Sequence, residues 1–430
     1  MITKVEALNY RSLRHVSQEV QPFQVLIGAN ARGKSTFLDV IAFLGDIVSS
    51  RDILDAVQKR STNPFDLTWM GQTDWFELAV EAQIPETFKS EYPKLRYEVR
   101  IGIQEETQEL AILTEALWFI REETAMRSVS FPIPLDPPDR ITQGSGSQPI
   151  GWRKIVEKQA GGIDCFQSET SDWNSKFRTG TERSALGNLI EDQDRFPVAT
   201  WFKDYLSRHI QKIQLNSESM RSTSPFSSRC TFQPDGSSLP WVIYDLEENH
   251  PTRLRKWIDH VQTASPDLTN IRTVEMPENR SRYLKVEYQS GLKAPAWIVS
   301  EGTLRLLALT ILAYIPDFTG VYLIEEPENG LHPLTLETVL DSLHSVYDGQ
   351  VFVAIHSSML MTFMEPEELL CFSRTDEGTA IVNGKYHPHL RNWQHDIHLS
   401  TFFASGVLGW TEADLTRMAA GKGIFEKGRS

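Results

Sequence analysis

Eight residues, Gly28-Ala29-Asn30-Ala31-Arg32-Gly33-Lys34-Ser35, constrain this chain more than any other part of it. They fit the pattern GxxxxGK[ST] and lie between an apolar run at 25–27, which reads as a strand, and a run at 35–47, which reads as a helix. In that run Phe37, Leu38, Ile41, Phe43 and Leu44 recur at helical spacing. The backbone N–H groups of such a loop converge at a helix N-terminus, where the helix dipole favours an anion. Lys34 then reaches the β- and γ-phosphates of a nucleotide, and the Ser35 hydroxyl is a ligand for Mg²⁺.

The rest of the chain agrees with an α/β protein. The segments ITKVEALNY, FQVLIGAN, WFELAVEAQI and LRYEVRIGIQ read as strands of an N-terminal lobe over 1–115. A stretch at 131–151 is dense in Pro, Gly and Ser and reads as a loop or linker. It falls within an inserted, mixed middle region over 116–290, with helices expected at 198–213 and 251–264 and no heptad pattern that would make long arms. A C-terminal lobe over 291–430 is patterned again, with GTLRLLALTILAYI as a buried helix and VYLIEEP and VFVAIHS as short buried strands. Buried strands alternating with helices predict a parallel sheet covered on both faces, with ligands bound at the carboxyl ends of the strands.

Composition excludes several classes. The 430 residues carry 43 basic and 57 acidic side chains, a formal charge of -14, which argues against a general cationic coat for DNA. Arg253, Arg255 and Lys256 form a basic cluster that reads as a solvated helix face. No window approaches a membrane span, and Cys165, Cys230 and Cys371 form neither a disulfide framework nor a CxxC pair. A cytoplasmic protein without membrane contact is expected, with its cysteines as buried small apolar groups.

Three further clusters complete the chemistry. The strand ending in Glu325-Glu326-Pro327 supplies adjacent carboxylates, Glu325 for the metal and Glu326 to orient and deprotonate water. His356 ends the next apolar strand, where a group sensing the γ-phosphate would stand. Ser300 and Gly302 precede the helix at 304–313, and a serine with a glycine amide at a helix N-terminus forms a second anion site. Two phosphate-type sites in one chain suggest that the second serves a nucleotide held by a partner copy.

The ordered set NYRSL, GANARGKST, SEGTLR, LIEEPENGLHP and AIHSS resembles the ABC-type ATPase heads of the SMC and RecF group and of the OLD family. It is most similar to the compact prokaryotic AAA-family ATP-binding proteins without coiled-coil arms. The resemblance implies an ABC-type P-loop NTPase head that binds ATP and Mg²⁺ and hydrolyses ATP as a head-to-tail dimer. It assigns nucleotide contacts to Arg11, Gly28, Asn30, Gly33, Lys34, Ser35 and Thr36, and to Ser300 and Gly302 acting on the opposite subunit. Ser35 and Glu325 would hold the metal, Glu326 and His356 would serve catalysis, and residues 328–332 would form the subunit-crossing loop. Two departures stand out: SEGT replaces the transporter signature LSGGQ, and Glu325 stands where many relatives carry Asp. Arg32 inside the loop either adds charge near the γ-phosphate or points to solvent.

For biological role the resemblance implies a regulatory ATPase coupled to a separate effector, a nuclease among the candidates, in genome maintenance or anti-phage defence. The 74 residues after His356 are few for an appended nuclease domain of the TOPRIM type. A RecF-like clamp that grips DNA is the alternative, and a transporter subunit is disfavoured by SEGT. His387, His389, His395 and His398 match no metal-ligand spacing.

Overall fold

The computed structural model describes residues 1–104, 106–121, 137–143, 148–159, 161–226, 230–357, 360–375, 378–387 and 390. At its centre is a six-stranded sheet in the order Ile210–Ile213, Val321–Glu325, Gln350–Ala354, Phe23–Ile27, Leu369–Thr375 and Gly378–Asn383. The first five strands are parallel and the last returns antiparallel. The strands at its middle are buried along their length up to the partly exposed Glu325, which is why they read as apolar runs. Their side chains divide with period two. Leu26, Val321, Leu323, Phe352 and Ala354 enter one core with the helix Lys34–Ser49. Val25, Ile27, Tyr322, Ile324, Val351 and Val353 enter another with the helices Leu239–Asn249, Pro251–Ala264, Glu301–Thr310 and Leu336–His344. Each fully buried aliphatic side chain contributes roughly 1.5–3 kcal/mol, so the two faces hold the central strands rigidly in register.

An antiparallel eight-stranded sheet packs across the first core. Its order is Leu13–Glu19, Ile2–Tyr10, Trp75–Gln83, Lys94–Ile103, Leu110–Ile120, Trp152–Gln159, Ile163–Gln167 and Asn174–Arg178. The boundary expected at 115–116 therefore falls inside one strand, and 152–178 extends the sheet begun at the N-terminus. Gln350 links the two sheets from a fully buried position: its Nε2 donates to the Ile2 and Gln21 carbonyls at 2.9 Å, and its Oε1 accepts from the Ile2 N–H at 2.9 Å. A three-stranded sheet, Leu268–Glu275, Arg282–Tyr288 and Lys293–Pro295, carries the chain to residue 300, so the boundary expected at 290–291 lies in a hairpin turn.

Other expectations change as well. The helix expected over 198–213 ends early: Pro197–Arg208 is helical, and Ile210–Ile213 becomes an edge strand of the parallel sheet, paired with Val321–Ile324. Isoleucines at both ends of IQKI suit a strand once that edge is available to pair. Of the cysteines, Cys371 is buried as expected, whereas Cys165 and Cys230 are partly exposed, and all three are free thiols. Arg253, Arg255 and Lys256 are exposed on their helix, as a solvated face requires. No helix among the described residues is long and apolar enough to cross a membrane.

Candidate nucleotide site

Sheet register brings the site together. Glu325 pairs with Ala354, and Ala354 pairs with Leu26, so the carboxyl ends of three neighbouring parallel strands lie level. The chain leaves them at Gly28, Glu326 and His356, the edge where α/β sheets bind ligands. Gly28 has φ of 147°, and a Cβ there would lie 2.5 Å from the Phe372 carbonyl oxygen. Gly33 has φ of 93°, and a Cβ there would lie 2.6 Å from Thr379 Oγ1. Only glycine suits both positions. The loop thus bends tightly into the helix Lys34–Ser49, with Asn30 exposed at its tip.

Lys34 is 5% exposed and folds back over the loop. Its Nζ donates to the Gly28 carbonyl at 2.6 Å and the Ala29 carbonyl at 3.2 Å, and stands 3.4 Å from His356 Nδ1. Burial pushes the Lys34 amine down to about 8, with Glu326, Glu328 and Glu325 pulling it partly back up. On the other side of His356, Nε2 lies 3.2 Å from Glu326 Oε1. An ammonium donating to Nδ1 leaves the imidazole proton on Nε2, directed at the carboxylate. Lys34, His356 and Glu326 therefore form a continuous relay.

The two carboxylates diverge because Glu326 takes a left-handed conformation, φ 50°, while its N–H donates to the Ala354 carbonyl at 2.8 Å. That conformation costs a non-glycine residue on the order of 1 kcal/mol or more. Glu325 turns the other way, accepting from the Ser35 hydroxyl at Oε2 and from Lys212 Nζ at 2.8 Å on Oε1. Burial raises the Glu325 carboxyl, but the hydrogen bonds from Lys212 and Ser35 and the Lys212 charge outweigh it and hold the group below its usual range. A hydroxyl and an ionised carboxylate are a hard-oxygen pair that suits Mg²⁺, which takes few protein ligands and completes its shell with phosphate oxygens and water. Among the described residues no group of three or more His, Cys, Asp or Glu is arranged to hold a metal. His387 is fully buried, and His389, His395 and His398 lie outside the described residues.

The remaining expected residues stand further out. Thr36 Oγ1 accepts from the Ser12 hydroxyl at 3.3 Å in the first helical turn. Arg11 pairs with Asp39 at 3.2 Å and lines a cleft of about 550 Å³ that Ser35, Arg60 and Lys212 also line. Ser300 caps the helix Glu301–Thr310, its Oγ accepting from the Thr303 N–H at 3.1 Å. A side chain at Gly302 would meet only the Gly330 carbonyl, at 2.9 Å. This helix N-terminus thus lies against the turn that follows the carboxylates, and Ser300 is exposed.

A family model described as "AAA domain, putative AbiEii toxin, Type IV TA system" matches residues 23–362, from the phosphate-loop strand past the histidine. The chain belongs to this AAA-domain family. No curated protein matches the sequence. Among solved structures, the chain is similar to an SMC head bound to the C-terminal winged-helix domain of ScpA, at 14% identity and TM-score 0.51, covering 89% of this chain and 96% of that one. It is equally similar to an SMC head with an extended coiled coil bound to the C-terminal domain of ScpA, derived from Pyrococcus furiosus, at 14% identity and TM-score 0.51, covering 89% and 95%. These likenesses show the fold alone, that of an SMC head.

Sequence reasoning places Glu328 and Asn329 only in a crossing loop at 328–332, and misses Lys212 and the contacts that all three make in this AAA-domain site. Lys212 reaches Glu325 only because IQKI joins the sheet, and that run reads as helix. Glu328 Oε1 accepts the backbone N–H groups of His356 at 2.7 Å and Ser357 at 2.9 Å. Asn329 Nδ2 donates to Glu326 Oε2. The available signal for the last two was their place in PENG, directly after the carboxylates.

Proposed function

We propose that the protein hydrolyses ATP in a head-to-tail pair of copies, and that this cycle controls a separate effector. The observation that carries the first part is the meeting of Lys34, Ser35, Glu325, Glu326 and His356 at three level strand ends. In this reading Lys34 leaves the Gly28 and Ala29 carbonyls for the β- and γ-phosphates, while the amides of the loop, with Asn30 and Thr36, hold the remaining phosphate oxygens. Ser35 and Glu325 would hold Mg²⁺, which supplies charge neutralisation to the phosphates when bound. Glu326 takes a proton from the attacking water, and His356 holds Glu326 in place and senses the γ-phosphate side. Arg11 joins from the cleft beside Ser35.

Ser300 and Gly302 support the dimer. Within one chain Gly302 lies against the Gly330 turn and Ser300 is exposed at the helix cap, and in this reading both meet the phosphates bound by a second copy. Residues 328–332 then lie at the crossing between subunits. Purified protein should release phosphate from ATP with Mg²⁺ and form more dimer with ATP. A chain that neither binds nor hydrolyses ATP would contradict the proposal.

The family description, with its type IV toxin–antitoxin association, supports a role in cytoplasmic anti-phage defence in which this chain regulates the separate effector. Plaque counts on cells carrying this gene with its native neighbours, against the gene alone and against Glu326→Gln, test this. Protection by the gene alone would argue against a separate effector.

A further inference from the structure

Glu328 has a place in the site that its position in a turn does not suggest. The last ladder bond of the histidine strand runs from the Ile355 N–H to the Leu26 carbonyl at 3.1 Å. The next two amides, of His356 and Ser357, lie beyond the sheet and need another acceptor. Glu328 Oε1 supplies it to both, at 2.7 and 2.9 Å. Its Oε2 is buried without a hydrogen-bond partner among the described residues. An ordinary turn carboxylate would face water with both oxygens, since an unpaired buried oxygen is costly. Here the carboxylate is kept in place by the two amides it accepts.

The neighbouring contacts give this cap a direction. Asn329 holds Glu326 Oε2, and His356 faces Glu326 Oε1 at 3.2 Å. Gly330 then places its carbonyl under Gly302, 2.9 Å from where a Cβ would stand. Five residues, 326–330, thus touch the carboxylate, the histidine and the N-terminus of the Ser300 helix in turn.

We propose that Glu328 is a positioning residue for His356, and that through the 326–330 turn it ties the histidine to the face carrying Ser300 and Gly302. Movement where a second copy docks would then reach the γ-phosphate side through backbone hydrogen bonds. The inference rests on the ATPase reading of His356.

Steady-state turnover and ATP affinity of the full chain test it. Glu328→Ala removes both acceptor bonds and is expected to lower kcat at least tenfold while ATP affinity stays within threefold. Glu328→Gln keeps one oxygen for both amides and should restore kcat to within threefold of the parent. Combined with His356→Ala, Glu328→Ala should add less than twofold, because both changes act through one side chain. Parental kcat in Glu328→Ala, an affinity loss matching the loss of kcat, or multiplying effects in the double variant would each overturn the proposal. If Glu328→Ala does not fold, Glu328→Asp, one methylene short of both amides, decides: lowered kcat at intact affinity supports positioning and parental kcat refutes it. Normal turnover in His356→Ala would instead refute the ATPase reading of that histidine, whereas its loss alongside a normal Glu328→Ala would sink this inference alone.

Discussion

Replacing Glu326 by Gln separates binding from chemistry most cleanly. The carboxylate accepts at both oxygens, from Asn329 Nδ2 and from His356 Nε2 at 3.2 Å, while Ser35 and Lys212 bond to Glu325 instead. An amide keeps one acceptor for the two donors, so one exposed hydrogen bond is lost, about 1 kcal/mol of local order that does not touch the phosphate loop. Removing the charge also takes a carboxylate away from the γ-phosphate side, so ATP should bind as tightly as before or more tightly. What disappears is basicity: losing a general base costs roughly a hundredfold in rate, or about 2.7 kcal/mol of barrier. Single-turnover hydrolysis should therefore fall at least a hundredfold while a nucleotide titration stays within threefold, and size-exclusion with ATP and Mg²⁺ should show more dimer than the parent. Glu325→Gln should behave otherwise. It weakens the Ser35 and Lys212 contacts and should impair Mg²⁺-dependent binding and hydrolysis together. If Glu326→Gln hydrolyses ATP normally and Glu325→Gln alone traps the dimer, the two roles are reversed.

Three further outcomes follow. Because burial holds the Lys34 amine at about 8 and its charged form binds phosphate, ATP affinity should fall as pH rises through 8, by up to tenfold per unit; flat affinity from pH 7 to 9.5 would refute the burial argument. Ser300→Arg should leave ATP binding by a single chain intact and stop hydrolysis by preventing closure; parental turnover would remove the Ser300 helix from the partner's site. Gln350→Leu strands the Ile2 N–H and carbonyl in the core and releases the Gln21 carbonyl at its edge, and urea unfolding should show a loss of roughly 2–4 kcal/mol; less than about 1 kcal/mol would mean that the two sheets are joined by other contacts.

The parts of the site legible in the sequence are those whose chemistry is local. A strand, a glycine loop and a helix declare themselves in thirteen residues from 23 to 35, because the tight bend at Gly28 and Gly33 admits no other residue type. The carboxylates and His356 were legible as polar residues ending apolar strands, the pattern of a sheet buried on both faces. Lys212 was not, because IQKI is too short and too amphipathic to declare a strand, and only pairing with Val321–Ile324 decides its form. Glu328 is legible in the sequence only as the start of the crossing loop at 328–332. Its value comes from two amides 28 and 29 positions away, a contact that only tertiary packing creates. The strands at 152–178 escaped the N-terminal lobe for a related reason, since sheet membership is settled by long-range pairing across the loop that precedes them.

The account's central claim, that each site is composed of one copy's phosphate loop and the other's Ser300 helix, is tested most directly by mixing two inactive variants. Lys34→Ala lacks its own loop and Ser300→Arg lacks its partner-facing helix, so each alone should be inactive. In a mixed dimer the loop of the Ser300→Arg copy meets the intact helix of the Lys34→Ala copy, giving one complete site. At equal concentrations about half of the dimers are mixed, and with one site working in each, roughly a quarter of the parental turnover should return. Phosphate release in the mixture at that level is the predicted result. A mixture that assembles into mixed dimers with ATP and yet stays as inactive as its components would contradict the composite site.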